Sequence, residues 1–213
     1  MLIKTSCPLC GSKGSYRVLF PQNFAVEELN PKIFSARRMP DKLHYQLVKC
    51  KKDGLVRSNP IVDSALLQSF YVQSKLSYKR EIKNLSRSYI QVMKPILKKL
   101  PKTARILEIG CGNGFILEEL KKLGYNHVYG VEPSLDAVNQ ASDKIKPQIT
   151  QAVFSKKLFK KQSFDFIFLF QTLDHIPNPN EFLQDCRSIL KNGGLILSLH
   201  HNVESLGAKI LGE

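Results

Sequence analysis

The chain has 213 residues, 32 Lys+Arg against 18 Asp+Glu for a formal charge of +14, five cysteines and no tryptophan. That length allows one ordinary domain with a full core and a smaller appendage. No export signal opens the chain and "FIFLF" at 166–170 is far too short to span a bilayer, so a soluble cytoplasmic protein with no membrane partner is expected, its odd cysteine count arguing for metal or free thiols rather than disulfides.

The charge is uneven, with 19 Lys+Arg against 6 Asp+Glu in residues 1–100 and 13 against 12 in the remainder. A basic first half reads either as a surface for an anionic partner (a nucleotide-linked substrate, RNA or an acidic carrier protein) or as an ordinary solvated face.

In chain order, 1–62 reads as a small loop-rich module with short β runs at "YRVLF" (16–20) and "LHYQLVKC" (43–50), the latter ending in "KKDG". Residues 63–101 form a connector without glycine whose apolar residues recur at three- and four-residue steps, which predicts helices. Asp63 or Ser64 caps the start, Pro95 kinks or divides the far end, and Tyr71, Tyr78 and Tyr89 pack or border a cleft. From 102 to 213 strands near 105–109, 127–131, 148–152, 165–170 and 194–199 alternate with helices near 114–123, 134–145 and 179–190. Asn178 and Pro179 supply a cap and a first helical residue, and Asn192 or Gly193 in "KNGG" closes that helix in the left-handed conformation. Short apolar strands between amphipathic helices predict an α/β, doubly wound, mostly parallel sheet covered on both faces.

The stretch "ILEIGCGNGF" (106–115) turns a strand into a helix through Gly110, Gly112 and Gly114, where a ligand can approach main chain unobstructed by a Cβ atom. At the tip of the next strand, "HVYGVE", Glu132 can accept both hydroxyl hydrogens of a ribose. The frame is E-x-G-x-G-x-G rather than G-x-G-x-x-G, and the acid Glu108 suits a cationic ligand better than a pyrophosphate.

These residues, with "VYGVEPS", "FDFIFLFQTLDHIPNP" and "FLQDCRSILKNGGLILSLH", resemble the class I S-adenosylmethionine-dependent methyltransferases over about 104–202. The resemblance implies S-adenosylmethionine held by Glu108, Gly110, Cys111, Gly112, Asn113, Gly114, Glu132, Pro133 and Gln171. It implies Glu108 acting mainly through water near the amino group, and Val153 and Phe154 flanking the adenine, because "ITQAVFSKK" lacks the acid that many members carry there. It also implies a Rossmann-like sheet of seven strands, of which the sequence after His201 is too short to supply the last two. Either the sequence is a fragment, or another segment or a second subunit in a homo-oligomer covers the open edge.

"CPLCG" (7–11) has the form of a zinc knuckle, and "CKKDG" (50–54) keeps its frame with Asp53 where a cysteine is expected. Cys7, Cys10, Cys50 and Asp53 can form a structural zinc site, with His44 a substitute fourth ligand; the alternative is a degenerate knuckle that binds no metal. This stretch resembles the N-terminal zinc-ribbon-like domain of nucleotide-sugar C-methyltransferases. The expected activity is methyl transfer to a small-molecule acceptor, a nucleotide-linked sugar by that resemblance; an RNA methyltransferase and a non-catalytic cofactor-binding or interaction protein are the rivals. If the acceptor needs a base, His175, His200 and His201 follow strands where open α/β sheets place their sites.

Overall fold

A computed structural model describes residues 2–33, 43–76, 81–200 and 202. Tyr78, His201 and residues 203–213, nearly all of the stretch expected to be too short for two further strands, lie outside the described residues.

The first part holds β1 (Leu2–Ile3), β2 (Tyr16–Phe20), β3 (Leu47–Cys50), β4 (Val56–Ser58) and β5 (Ile61–Val62). β2, β3 and β4 form an antiparallel three-stranded sheet, and β1 pairs antiparallel with β5. β3 is shorter than the predicted 43–50 run: at Gln46 the main-chain carbonyl still accepts from Asn59 N–H (3.0 Å), but the Asn59 carbonyl takes the Gln46 side-chain amide (2.8 Å).

Two helices follow, α1 (Ser64–Gln73) and α2 (Ile82–Leu97). Asp63 is the cap of α1, its carboxylate accepting from the N–H groups of Ala65 (3.2 Å) and Leu66 (3.1 Å). α2 runs unbroken past Pro95 to Leu97, so the proline does not divide it; it sits in the last turn, close to where the chain leaves the helix anyway.

The remainder alternates: β6 (Ile106–Ile109), α3 (Phe115–Lys122), β7 (Val128–Glu132), α4 (Leu135–Asn139), β8 (Ile149–Gln151), β9 (Phe164–Phe170), α5 (Pro179–Ile189) and β10 (Leu190–Leu199). These five strands form one parallel sheet in the order β10-β9-β6-β7-β8, the predicted doubly wound α/β arrangement. β9 shows why so apolar a strand belongs here: Phe166, Phe168 and Phe170 pack on one face with α2 and α3, while Ile167 and Leu169 pack on the other with Phe182, Cys186 and Ile189 of α5. A strand buried on both faces has no polar side to present.

Two helical expectations fail locally. The helix predicted over 134–145 stops at Asn139, because the chain turns so that Ile145, 1% exposed, can pack over Gly114. α5 ends at Ile189, before "KNGG": Gly193 does adopt the left-handed conformation (φ +77°), but within a bulge of β10 between Leu190 and Leu195. No helix among the described residues is long and apolar enough to cross a membrane.

Candidate cofactor crevice and cysteine cluster

The sheet reverses its winding between β6 and β9, and the loops after β6, β7 and β9 meet at the carboxyl ends of the strands, where such sheets bind ligands. Gly110, Gly112 and Gly114 all have positive φ (+76°, +55° and +72°). A Cβ on Gly110 would lie 2.5 Å from Thr172 Oγ1, and one on Gly114 would lie 2.5 Å from Ile145 Cγ2. Both positions therefore require glycine for backbone conformation and for space.

Glu132 is buried at the tip of β7 with its carboxylate held from two sides, Oε2 accepting from Gly112 N–H (2.8 Å) and Oε1 from Ser134 N–H (2.9 Å). Burial raises its pKa above the ordinary carboxylate value and these two bonds work against that rise. Glu108 is more extreme: burial, then the charge of Glu132, pushes its carboxyl well above the usual range, and its Oε2 has no hydrogen-bond partner.

Two further buried oxygens at this place lack partners, Asn113 Oδ1 and Gln171 Oε1. Gln171 sits at φ +52°, and its side-chain amide reaches the Tyr89 hydroxyl. Buried polar atoms in folded proteins are nearly always paired, so three orphaned acceptors around one glycine loop describe a place built for a donor from outside the chain. The acceptor set suits a ligand with an ammonium group and hydroxyls: a carboxyl at Glu108, amide oxygens at Asn113 and Gln171, and a fixed carboxylate at Glu132.

Other predicted residues fall less simply. The Cys111 side chain is 2% exposed and turned into the core against Gly130, where a Cβ would lie 2.5 Å from its sulfur, so its thiol faces away from the crevice and burial pushes it well above its ordinary value. Phe154 is packed edge-on against Phe182 of α5 with ring centroids 5.2 Å apart, whereas Val153 is exposed. His175 is exposed after β9, its Nε2 3.8 Å from Asp174 Oδ2 and its ring edge-on to Tyr71 at 6.1 Å. His200 is exposed beyond β10, with Nδ1 3.1 Å from Ser198 Oγ.

Sequence reasoning missed Ser134 and Thr172 as parts of this wall, and gave Tyr89 only as packing or bordering a cleft. Ser134 carries a visible signal, a helix cap directly after Glu132: its hydroxyl accepts from Ala137 N–H (3.2 Å) and donates to the Ser74 carbonyl (2.7 Å). Thr172 has no such signal; its hydroxyl reaches back to the Ile109 carbonyl (3.3 Å) only because β9 lies beside β6.

In the first part, Cys7, Cys10, Cys50 and Asp53 bring one ligand atom each to within 4.8 Å of one another. Two like-built turns hold them, Gly11 N–H donating to the Cys7 carbonyl (2.8 Å) and Gly54 N–H to the Cys50 carbonyl (3.1 Å), with both glycines left-handed. Asp53 Oδ2 lies 3.1 Å from Cys7 Sγ and 3.3 Å from Cys50 Sγ, and Cys10 Sγ lies 3.5 Å from Cys50 Sγ. The bond to Asp53 pushes the Cys10 thiol up to about 12. Burial works against ionisation of Cys50, yet the N–H groups of Asp53 and Lys52 bring its thiol below the usual range. Three sulfurs and one carboxylate in this compass fit a tetrahedral zinc ion. His44 is not among them: its Nδ1 is paired with the Tyr45 carbonyl (3.0 Å) and its ring stands edge-on to Phe20.

The sheet and crevice define an open parallel α/β protein of Rossmann-like construction. Residues 79–211 match a family model described as a methyltransferase domain, and the chain belongs to that family. It is similar to a ubiquinone biosynthesis O-methyltransferase of Rhodopseudomonas palustris (strain BisB18), at 30% identity over 51% of this chain and 44% of the relative. It is likewise similar to one of Glaesserella parasuis serovar 5 (strain SH0165), at 32% identity over 43% of each. Among solved structures it is similar to a putative methyltransferase from an antibiotic biosynthesis pathway of Anabaena variabilis ATCC 29413 (26% identity, 51% of this chain and 45% of that one, TM-score 0.43). The chain spans less than half the length of the curated relatives named here.

Proposed function

We propose that this chain binds S-adenosylmethionine and transfers its methyl group to a small-molecule acceptor. The observation that carries the reading is the set of orphaned buried oxygens on Glu108, Asn113 and Gln171 around a loop of three left-handed glycines. Family membership and the names of the curated relatives support it.

In this reading Glu108, Asn113 and Gln171 receive the amino-acid end, Glu132 the ribose hydroxyls, and Pro133 and Val153 border the nucleoside. S-adenosylmethionine, when bound, would supply an electrophilic methyl on a sulfonium; the aligned acceptor would bond to that carbon as the carbon–sulfur bond breaks and S-adenosylhomocysteine leaves as a neutral thioether, so no protein nucleophile is needed. The residues of the chain orient the two partners, exclude water and hold the loop fixed. For a hydroxyl acceptor, His175 takes the proton at an imidazole nitrogen while Asp174 steadies the cation that forms; His200 is the second candidate.

Residues 1–62 are a zinc-ribbon-like module closed by Cys7, Cys10, Cys50 and Asp53, 63–101 a helical connector and 102–213 the methyltransferase domain. The nucleotide-linked sugar as acceptor is supported by the likeness of the four-ligand module alone. Calorimetry with S-adenosylhomocysteine tests the central claim: saturable binding abolished by Glu132→Ala supports it, and absence of binding to a folded protein refutes it.

A further inference from the structure

The outer face of the three-stranded sheet in the first part carries an arrangement that methyl transfer does not use. Arg17 and Lys49 stand directly opposite each other on β2 and β3. Like charges across a ladder repel and weaken the sheet. Lys51 and Lys52 follow in the exposed turn after β3, and none of these four makes an ion pair among the described residues.

A bulge adds an aromatic group to this face. In a regular strand Phe20 would lie on the side opposite Arg17, since successive side chains alternate. The register of β2 shifts between Val18 and Phe20, so that Val18 faces Val48 and Phe20 faces Leu47. Cross-strand partners share a face, and Leu47 shares that of Lys49, so the shift turns Phe20 toward the cations. Its ring is 47% exposed, and the His44 ring stands edge-on to it at 6.4 Å.

We infer that this face binds single-stranded nucleic acid, the cations tracking phosphates and Phe20 with His44 offering a surface on which a base stacks. An unpaired like-charged pair beside an exposed aromatic ring matches a ligand with both phosphates and π faces, which an acidic polypeptide lacks. The inference goes beyond methyl transfer and does not depend on it.

Fluorescence anisotropy of a fluorescein-labelled twelve-residue oligouridylate, titrated with the full chain as purified, tests it. Four cations on phosphates give a log–log salt slope of about −2.8, so affinity falls about 50-fold between 50 and 200 mM salt. Arg17→Gln with Lys49→Gln brings the slope to about −1.4 and the fall to about 7-fold, while the melting temperature holds or rises because the repulsion is gone. Phe20→Ala lowers affinity at every salt concentration and leaves the slope unchanged. The proposal is overturned if the double variant binds as wild type, if Phe20→Ala is without effect, or if polyglutamate displaces the oligonucleotide at equal charge concentration.

Discussion

Gly114→Ala is the sharpest probe of the crevice. The new Cβ would meet Ile145 Cγ2 at 2.5 Å and Ile149 Cδ1 at 3.0 Å, against the roughly 3.5–4.0 Å of relaxed carbon contacts. Ile145 is 1% exposed within the core and cannot withdraw without displacing its neighbours. Overpacking of that kind costs about 1–3 kcal/mol. The left-handed backbone (φ +72°) adds about 1–2 kcal/mol for a residue with a side chain, for a total of about 2–5 kcal/mol. Gly193→Ala is the internal control: its φ is +77°, but nothing lies within 4 Å of the added atom, so only the backbone cost of about 1–2 kcal/mol applies. Urea unfolding followed by circular dichroism and tyrosine fluorescence measures both, and the expected gap between the variants is about 1–3 kcal/mol. Equal destabilisation of the two would refute the packing half of the reasoning.

The Glu108 carboxyl, raised by burial and by Glu132, holds its proton beyond the ordinary carboxylate range in the ligand-free fold, whereas a cationic ligand favours the carboxylate. Affinity for S-adenosylhomocysteine, which keeps the ammonium group, is therefore expected to rise with pH and binding to release a proton; calorimetry in buffers of different ionisation heat reads both, and affinity falling with pH contradicts this. The same shift has a sign for folding: a carboxyl whose folded value exceeds its unfolded one loses stability as pH rises between the two. Glu108→Gln should thus match or exceed wild-type stability at pH 8 while binding cofactor more weakly, and a less stable variant would show that the carboxyl is a structural asset. About one zinc per chain is expected by mass spectrometry, with chelation lowering the melting temperature; Asp53→Ala loses the metal and Asp53→Cys retains it, and equal metal content in all three proteins would remove Asp53 from the ligand set. His175→Gln should lower the transfer rate to a hydroxyl acceptor by about 10²–10⁴-fold with cofactor affinity unchanged, and an unchanged rate would reassign the base.

Legibility in the sequence followed the range of the forces involved. The strands were readable because a strand segment buried on both faces must be apolar, as β9 is from Phe166 to Phe170, and the start of α1 because Asp63 bonds N–H groups only two and three residues away. The glycines were readable because a positive φ is a local demand. The helix over 134–145 was misjudged because Ile145 answers to Gly114, thirty-one positions earlier, rather than to its own helical neighbours. The side chain of Cys111, a residue of the loop motif, enters the core because Gly130 has no Cβ to exclude its sulfur, which no pattern within the loop announces. His44 was a reasonable ligand by residue type, and the Tyr45 carbonyl holds its Nδ1 elsewhere.

By itself the sequence determined the alternation of strands and helices, the glycine loop, the acid at the tip of β7 and the pairing of two cysteine turns, since each is a pattern within a few residues or a spacing between like patterns. Tertiary structure alone decided which acceptors are left without donors. That Glu108, Asn113 and Gln171 remain unsatisfied depends on everything packed around them, and β9 lies beside β6 only because the sheet reverses its winding there. The same holds for the outer face of the first sheet, where a one-residue bulge, invisible in composition, determines which side Phe20 presents.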